Sequence, residues 1–253
     1  MKMTKQKLIS SLALSALVLG IATPALADEA TSNATVTFVE DEGPTDPGNP
    51  GEPDPDPDPG EPDPEPGGGG GENGPLRIDY VTHMQFGEQK ISGSTKAYHP
   101  LLAKWNYEEG SVYIPQFIQI TDNRGTNDGW DLQVERSEFQ TADEAILAGA
   151  ELKITNGEVV NMGDAPTSAT PSTVNKTVTI PVGSAAKVMS AKEDQGMATW
   201  SYSFGEPKDR EEASKDPKEE NQDVTLSVPG TAKKIANEEY KSELTWTLVA
   251  SEA

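Results

Sequence analysis

Two short runs, far apart in the chain, each set a tryptophan and a leucine two residues apart within strand-forming sequence: Trp130-Asp131-Leu132 and Trp246-Thr247-Leu248. In an extended strand, side chains i and i+2 share a face. Val134 therefore joins Trp130 and Leu132, while Asp131, Gln133 and Glu135 face the other way. Leu244 joins Trp246 and Leu248, against Thr245 and Thr247. Apolar stripes of this kind need cover from water, so both runs predict half-buried strands of one sheet-built body. Ahead of the first, Asp122–Asp128 (DNRGTND) is dense in turn formers, and Gly125 and Gly129 are free to take positive φ. One strand thus ends near Ile120, a polar loop follows, and a second strand begins at Trp130.

The rest of the chain extends this pattern. Leu76–Phe86 alternates clearly, with Leu76, Ile78, Tyr80, Met84 and Phe86 on one face and Arg77, Asp79, His83 and Gln85 on the other. Further strands are predicted over Val112–Thr121, Trp130–Glu135, Leu152–Thr155, Val174–Val182, Ala186–Ser190, Met197–Phe204, Val224–Val228 and Leu244–Ala250. Only Thr141–Ala148 (TADEAILA) reads as helix, with Asp143 and Glu144 in its first turn. Many short strands separated by Gly and Pro predict an all-β fold: an antiparallel β-sandwich, Greek-key-like, with one short helix. Ala34–Glu40 reads as an additional strand that pairs with the main sheet. Asp41–Gly74, whose centre is EPDPDPDPGEPDPEP, has little apolar surface to bury and repels itself. It is expected to be a long disordered, solvated loop biased to polyproline II, and a spacer rather than a calcium site. Glu206–Asp223 reads as a solvated charged excursion.

Charge and cysteine usage narrow the function. The chain of 253 residues carries 42 acidic and 20 basic side chains, a formal charge of −22. Long-range repulsion then opposes binding to nucleic acid or to an anionic membrane. There is no cysteine, so no disulfide, thiol nucleophile or Cys-linked lipid anchor is available. Lys2, Lys5 and Lys7, the apolar run Leu8–Ile21 and the small-x-small site Ala25-Leu26-Ala27 predict an export signal over residues 1–27. The expected organisation is that signal, a strand segment at 28–40, the acidic segment at 41–74 and a β domain at 75–253. No other run approaches the ~20 apolar residues of a membrane span. The C-terminal LVASEA lacks an LPxTG motif and a hydrophobic tail. The expectation is a protein that is either released or held at its surface by a folded domain.

No constellation for catalysis stands out. His83 and His99, the two histidines, have no acid, hydroxyl or metal-ligand spacing beside them and read as solvated or structural. Ser184-Ala185-Ala186-Lys187 matches Ser-x-x-Lys, but its companion motifs are missing and the stretch reads as a turn entering a strand. Asp122–Asp128 has calcium-like residue types without the bidentate Glu of an EF-hand, whose place is taken by Gln133, so a turn held by its Asx side chains is the better reading. No catalytic residue, metal or cofactor is expected, and the chain is not expected to be an enzyme. A tryptophan on the apolar side of a strand is more often core than ligand platform. Trp130 and Trp246 can be both where strands meet at an open end, and Trp105 and Trp200 suit either role.

Pro115–Val134 (PQFIQITDNRGTNDGWDLQV), Tyr240–Leu248 (YKSELTWTL) and Pro75–Gly87 (PLRIDYVTHMQFG) resemble the WxL domain of surface proteins from low-GC Gram-positive bacteria. The resemblance covers roughly Pro75 to the end, and the acidic Pro-rich segment is also typical of that family. It implies a secreted, extracellular protein held non-covalently on the cell wall, with peptidoglycan as ligand and Trp130, Leu132, Trp246 and Leu248 forming or supporting the site. It also implies membrane-anchored surface partners. The alternative expectation is an adhesin or surface-complex subunit whose main contact is such a partner or a host matrix protein.

Overall fold

The computed structural model describes residues 32–53, 58–64, 68–71 and 73–251. The export signal expected over residues 1–27 lies outside the described residues. In chain order the strands are β1 (Glu61–Pro62), β2 (Gly68–Gly69), β3 (Leu76–Thr82), β4 (Lys96–Tyr98), β5 (Ala103–Tyr107), β6 (Gly110–Ile114), β7 (Phe117–Asp122) and β8 (Trp130–Arg136). They continue with β9 (Glu151–Ile154), β10 (Gly157–Asn161), β11 (Thr173–Val174), β12 (Val178–Ile180), β13 (Ala186–Ala191), β14 (Ala198–Phe204), β15 (Val224–Val228) and β16 (Leu244–Ala250). Residues 32–40 carry no strand.

The fold is all-β, but it is not the expected single β-sandwich. The ladders between these strands are antiparallel and fall into four small sheets, ordered β1-β5-β6, β10-β14-β7-β3-β2, β11-β13-β8-β16 and β12-β9-β15-β4. Two large facing sheets need uninterrupted strands, and the chain breaks two of its long apolar runs. Pro115 divides Val112–Thr121 into β6 and β7, which join different sheets, because proline has no N–H to give a ladder. Val174–Val182 divides into β11 and β12; between them Asn175 N–H donates to Val188 O and Lys176 O accepts from Gly157 N–H. The main core gathers Ile118, Ile120, Trp130, Leu132, Val134, Leu152, Ile154, Trp200, Tyr202 and Phe204 from three sheets. A satellite core of Trp105, Tyr107, Val112, Ile114, Phe117 and Ala213 lies at β5 and β6.

The expected helix at Thr141–Ala148 is also absent. Gln140 bridges to Ile146, Thr141 N–H donates to Ala145 O at 3.0 Å, and Glu144 takes φ +62°, which closes a tight turn. So short a segment gains too few hydrogen bonds to offset helix nucleation, whereas the turn lets Phe139 and Leu147 join the core.

Much of the described part of the acidic segment is docked on the body rather than solvated, although Asp41, Glu42, Pro44, Asp46, Pro59, Glu61 and Pro64 stay exposed. Its first part lies on the polar face of β3. Arg77 and Asp79, expected to face water, are only 3% and 5% exposed and pair at 2.9 Å. Arg77 also donates to Gly74 O at 2.8 Å and to Thr45 Oγ1. Gln119 donates to Asp46 O at 3.1 Å and accepts from Gly48 N–H at 3.0 Å. Burial pushes the Asp79 carboxyl up, against the hydrogen bond from Thr121 and the charge of Arg77. Further along, β1 extends the β5-β6 hairpin and β2 lines the edge of β3. Alternation holds for Leu76 to Asp79 only: a β-bulge between Ile78 and Tyr80 turns Tyr80 to the satellite core and brings Val81 to the main core beside Leu76 and Ile78, and alternation could not show that a polar strap covers Arg77 and Asp79. Glu206–Asp223 packs in part as well: Ala213 and Asn221 are buried, and Asn221 donates to Gln116 Oε1 at 2.7 Å and Phe204 O at 2.8 Å.

Candidate functional site

Trp130 and Leu132 lie on the central strand β8 and are wholly buried. The Trp130 indole N–H donates to Gly196 O at 3.0 Å. Gly196 sits at φ +77°, and a Cβ there would lie 2.4 Å from that nitrogen, so a glycine is required at this contact. Trp246 and Leu248 lie on β16, at the edge of the same sheet, and are half-buried. The register sets Trp246 opposite Val134, Leu248 opposite Leu132 and Ala250 opposite Trp130. All four side chains therefore share one face, as the alternation predicts. The two indoles nevertheless sit four strand positions apart, about 13 Å along the sheet. They do not form one platform.

Trp246 is the member of the four that lines open space. It borders a cleft of about 1330 Å³ where β16 meets the ends of β3, β4, β9 and β15. Phe204 of β14 stacks on the indole with ring centroids 5.7 Å apart and planes 13° from parallel, and this holds the indole plane. Leu152, Leu226 and Val228 contribute apolar surface to the cleft, together with Phe139 and Leu147. Two loops complete it: residues 83–91 bring Met84, Phe86 and Ile91, and residues 234–243 bring Ile235 and Tyr240. Tyr240 Oη accepts from Ile235 N–H at 3.1 Å and donates to Lys233 O at 3.3 Å, which fastens the second loop to itself. Lys90, Lys234 and Lys241 alternate on the lining with Glu88, Glu238 and Glu243, so the polar part of the cleft carries both signs of charge. Sequence reasoning placed Met84 and Phe86 on a strand that in fact ends at Thr82, and it did not single out the other loop residues. Phe86 and Tyr240 do fall in two of the three segments that carry the family resemblance, and that was the available signal.

The other candidates resolve as follows. Trp105 and Trp200 are core, 1% and 2% exposed. His83 is exposed beside the cleft, and His99 Nδ1 lies 2.8 Å from Val224 O. Ser184 is exposed in a bend just before β13, as its sequence suggests. In the loop after β7, Arg124 N–H donates to Asp122 Oδ1, and the Arg124 guanidinium clamps the same carboxylate at 2.7 and 2.9 Å and Gly129 O at 2.8 Å. Gly125 and Gly129 both take positive φ. Among the described residues no group of three His, Cys, Asp or Glu side chains converges as a metal site.

Among the described residues no helix is long and apolar enough to cross a membrane. Neither curated proteins nor solved structures yield a match to this chain. The family described as WxL domain surface cell wall-binding matches residues 25–251, nearly the whole length. The chain therefore belongs to the WxL family and is a cell wall-associated protein of the bacterial surface.

Proposed function

We propose that the protein holds itself on the wall non-covalently by binding peptidoglycan in the cleft beside Trp246, as a binding module rather than an enzyme. The observation that carries this reading is the position of that indole, half-buried at an open cleft and stacked against Phe204. A flat indole packs against the C–H groups of a pyranose, and lysine and glutamate nearby suit the hydroxyl, amide and carboxyl groups of glycan and stem peptide. A Gram-positive wall, which the resemblance implies, is itself polyanionic. With a chain charge of −22, attraction must come from close contacts and not from long-range fields.

A second observation favours a protein partner. β16 is an edge strand, and its sequence LTWTLVA contains none of the prolines or charges that blunt exposed edges. A membrane-anchored surface protein or a host matrix protein that added a strand there would make the chain an adhesin or complex subunit. Retention on purified sacculi separates the two readings. Ile91 is 59% exposed on the cleft, so Ile91→Asp should leave melting unchanged and weaken retention roughly tenfold, which is about 1.4 kcal/mol. Thr247→Lys, on the exposed face of the edge strand, should leave retention intact. The opposite pattern, with Thr247→Lys released and Ile91→Asp retained, transfers the function to the edge strand.

A further inference from the structure

The loop from β3 to β4 passes along the cleft beside Trp246 with two side chains anchored and its main chain open. Met84 and Phe86 pack, partly buried, against the main core. Over residues 83–91 the chain forms no turn or bend. Between Met84 and Ile91, among the described residues, the main-chain groups with a partner are Gln85 O and Phe86 O. Gln85 O accepts from Leu101 N–H at 2.8 Å, and Phe86 O accepts from Gln89 Nε2 at 2.7 Å. The other N–H and C=O groups of this stretch stay open where it borders the cleft. An open main-chain edge, held by apolar side chains at alternate positions, is what an extended peptide pairs with when it adds as a strand.

The charged lining points the same way. Lys234 Nζ donates to Pro229 O at 2.9 Å, and Lys241 pairs with Glu239 at 3.1 Å. Lys90, Glu88, Glu238 and Glu243 are exposed on the lining, and among the described residues their side chains have neither an ion pair nor a hydrogen bond. In peptidoglycan the fixed charges of both signs sit on the peptide, as its carboxylates and the amino group of its diamino residue. The N-acetylated glycan strand carries none, so it would leave these side chains facing neutral rings.

Resting on the reading of this cleft as the wall-binding site, we propose that the element it recognises is the stem peptide of peptidoglycan and not the glycan strand. The peptide lies extended along residues 84–91 and exchanges main-chain hydrogen bonds with them. Lys90 takes a carboxylate of the peptide, and Glu88 and Glu238 face its ammonium. Ile91 and Ile235, 59% and 37% exposed, meet its short alkyl side chains. The Trp246 indole is left to the sugar that bears the peptide, so the peptide supplies the specificity.

Competition for the full chain bound to purified sacculi tests this. A synthetic lysine-containing stem peptide should displace it at a concentration roughly tenfold below that required of peptide-free glycan oligomers. If the oligomers displace it as well or better, or the stem peptide does not displace it, the proposal is overturned and the cleft keeps its wall-binding role. A chain that never binds sacculi removes the wall-binding reading and this proposal with it. The same peptide methylated at its amide nitrogens should displace severalfold less, because methylation removes the donors of the ladder. Unchanged displacement overturns the main-chain pairing. Lys90→Glu alters an exposed side chain, so melting should hold while the stem peptide concentration required rises about threefold, the size of a partly exposed charge contact. Amidating the peptide's carboxylates should make variant and parent alike. A Lys90→Glu chain that responds to the free-acid peptide as the parent does overturns the carboxylate contact.

Discussion

The two Trp-x-Leu strands are alike in sequence and opposite in circumstance. β8 runs between β13 and β16, and its Trp130 is wholly enclosed, with the indole N–H committed to Gly196 O. β16 has β8 on one side and an open edge on the other, and its Trp246 is half-buried at a cleft. The same triplet thus anchors a core in one strand and lines a cleft in the other. What separates them is the number of neighbours each strand has. A central strand is covered by the side chains of both flanking strands and the opposing layer, whereas an edge strand leaves one flank to solvent or to a ligand.

This contrast sets the order of expected effects. Trp130→Ala should be the most damaging, costing about 3–5 kcal/mol, because it empties a closed site and strands a carbonyl. A urea midpoint near that of the parent chain would refute the core assignment. Trp246→Ala removes a half-buried ring and one stack, so it should cost only about 1–2 kcal/mol. It should nonetheless abolish retention on sacculi while the far-UV and near-UV spectra stay native. A Trp246→Ala loss as large as that of Trp130→Ala would erase the distinction between the strands.

The smallest effect concerns the outer faces. Partial burial works to raise the Asp131 carboxyl, but hydrogen bonds from Lys187 at 2.7 Å and from Ser190 outweigh it and hold the carboxyl below its ordinary value. A lowered folded-state pKa stabilises above the usual carboxylate range, and that contribution is lost as pH falls through the folded value. The pair is partly exposed, so Asp131→Asn should remove only about 0.5 kcal/mol at neutral pH and flatten the acid limb of the stability curve. Thr245 and Thr247, the counterparts on β16, carry no charge and should add no pH dependence.

Much of the strand content was legible in the chain. Val224–Val228 and Leu244–Ala250 form as read, Trp130–Arg136 differs by one residue, and the turn at Gly125 and Gly129 takes the predicted φ. Short β-structure with few core-facing residues was not legible: β4 and β10 escaped notice because their apolar residues are sparse, whereas β5 does alternate, with Ala103, Trp105 and Tyr107 facing the satellite core. The arm was misread for a related reason. A segment rich in Asp and Pro has no apolar stripe to announce a docking face, and its hold on Arg77, Tyr107 and Arg210 is polar and long-range. The candidate site was legible in part. Trp246 could be singled out, but the loops at 83–91 and 234–243 and the Phe204 stack depend on chain segments that meet only in three dimensions.

The sequence by itself determined most of the side chains that share a face within a strand, the turn before Trp130, and that the body is built of β-structure. Those properties follow from period-2 geometry and local φ preferences, which act within a few residues. Only the tertiary structure decided that the strands sort into four sheets, that the polar face of β3 lies beneath an acidic strap, and that Trp246 reaches a cleft while Trp130 does not. Burial depends on what the rest of the chain lays over a residue, and alternation along one strand carries no information about the neighbour beside it.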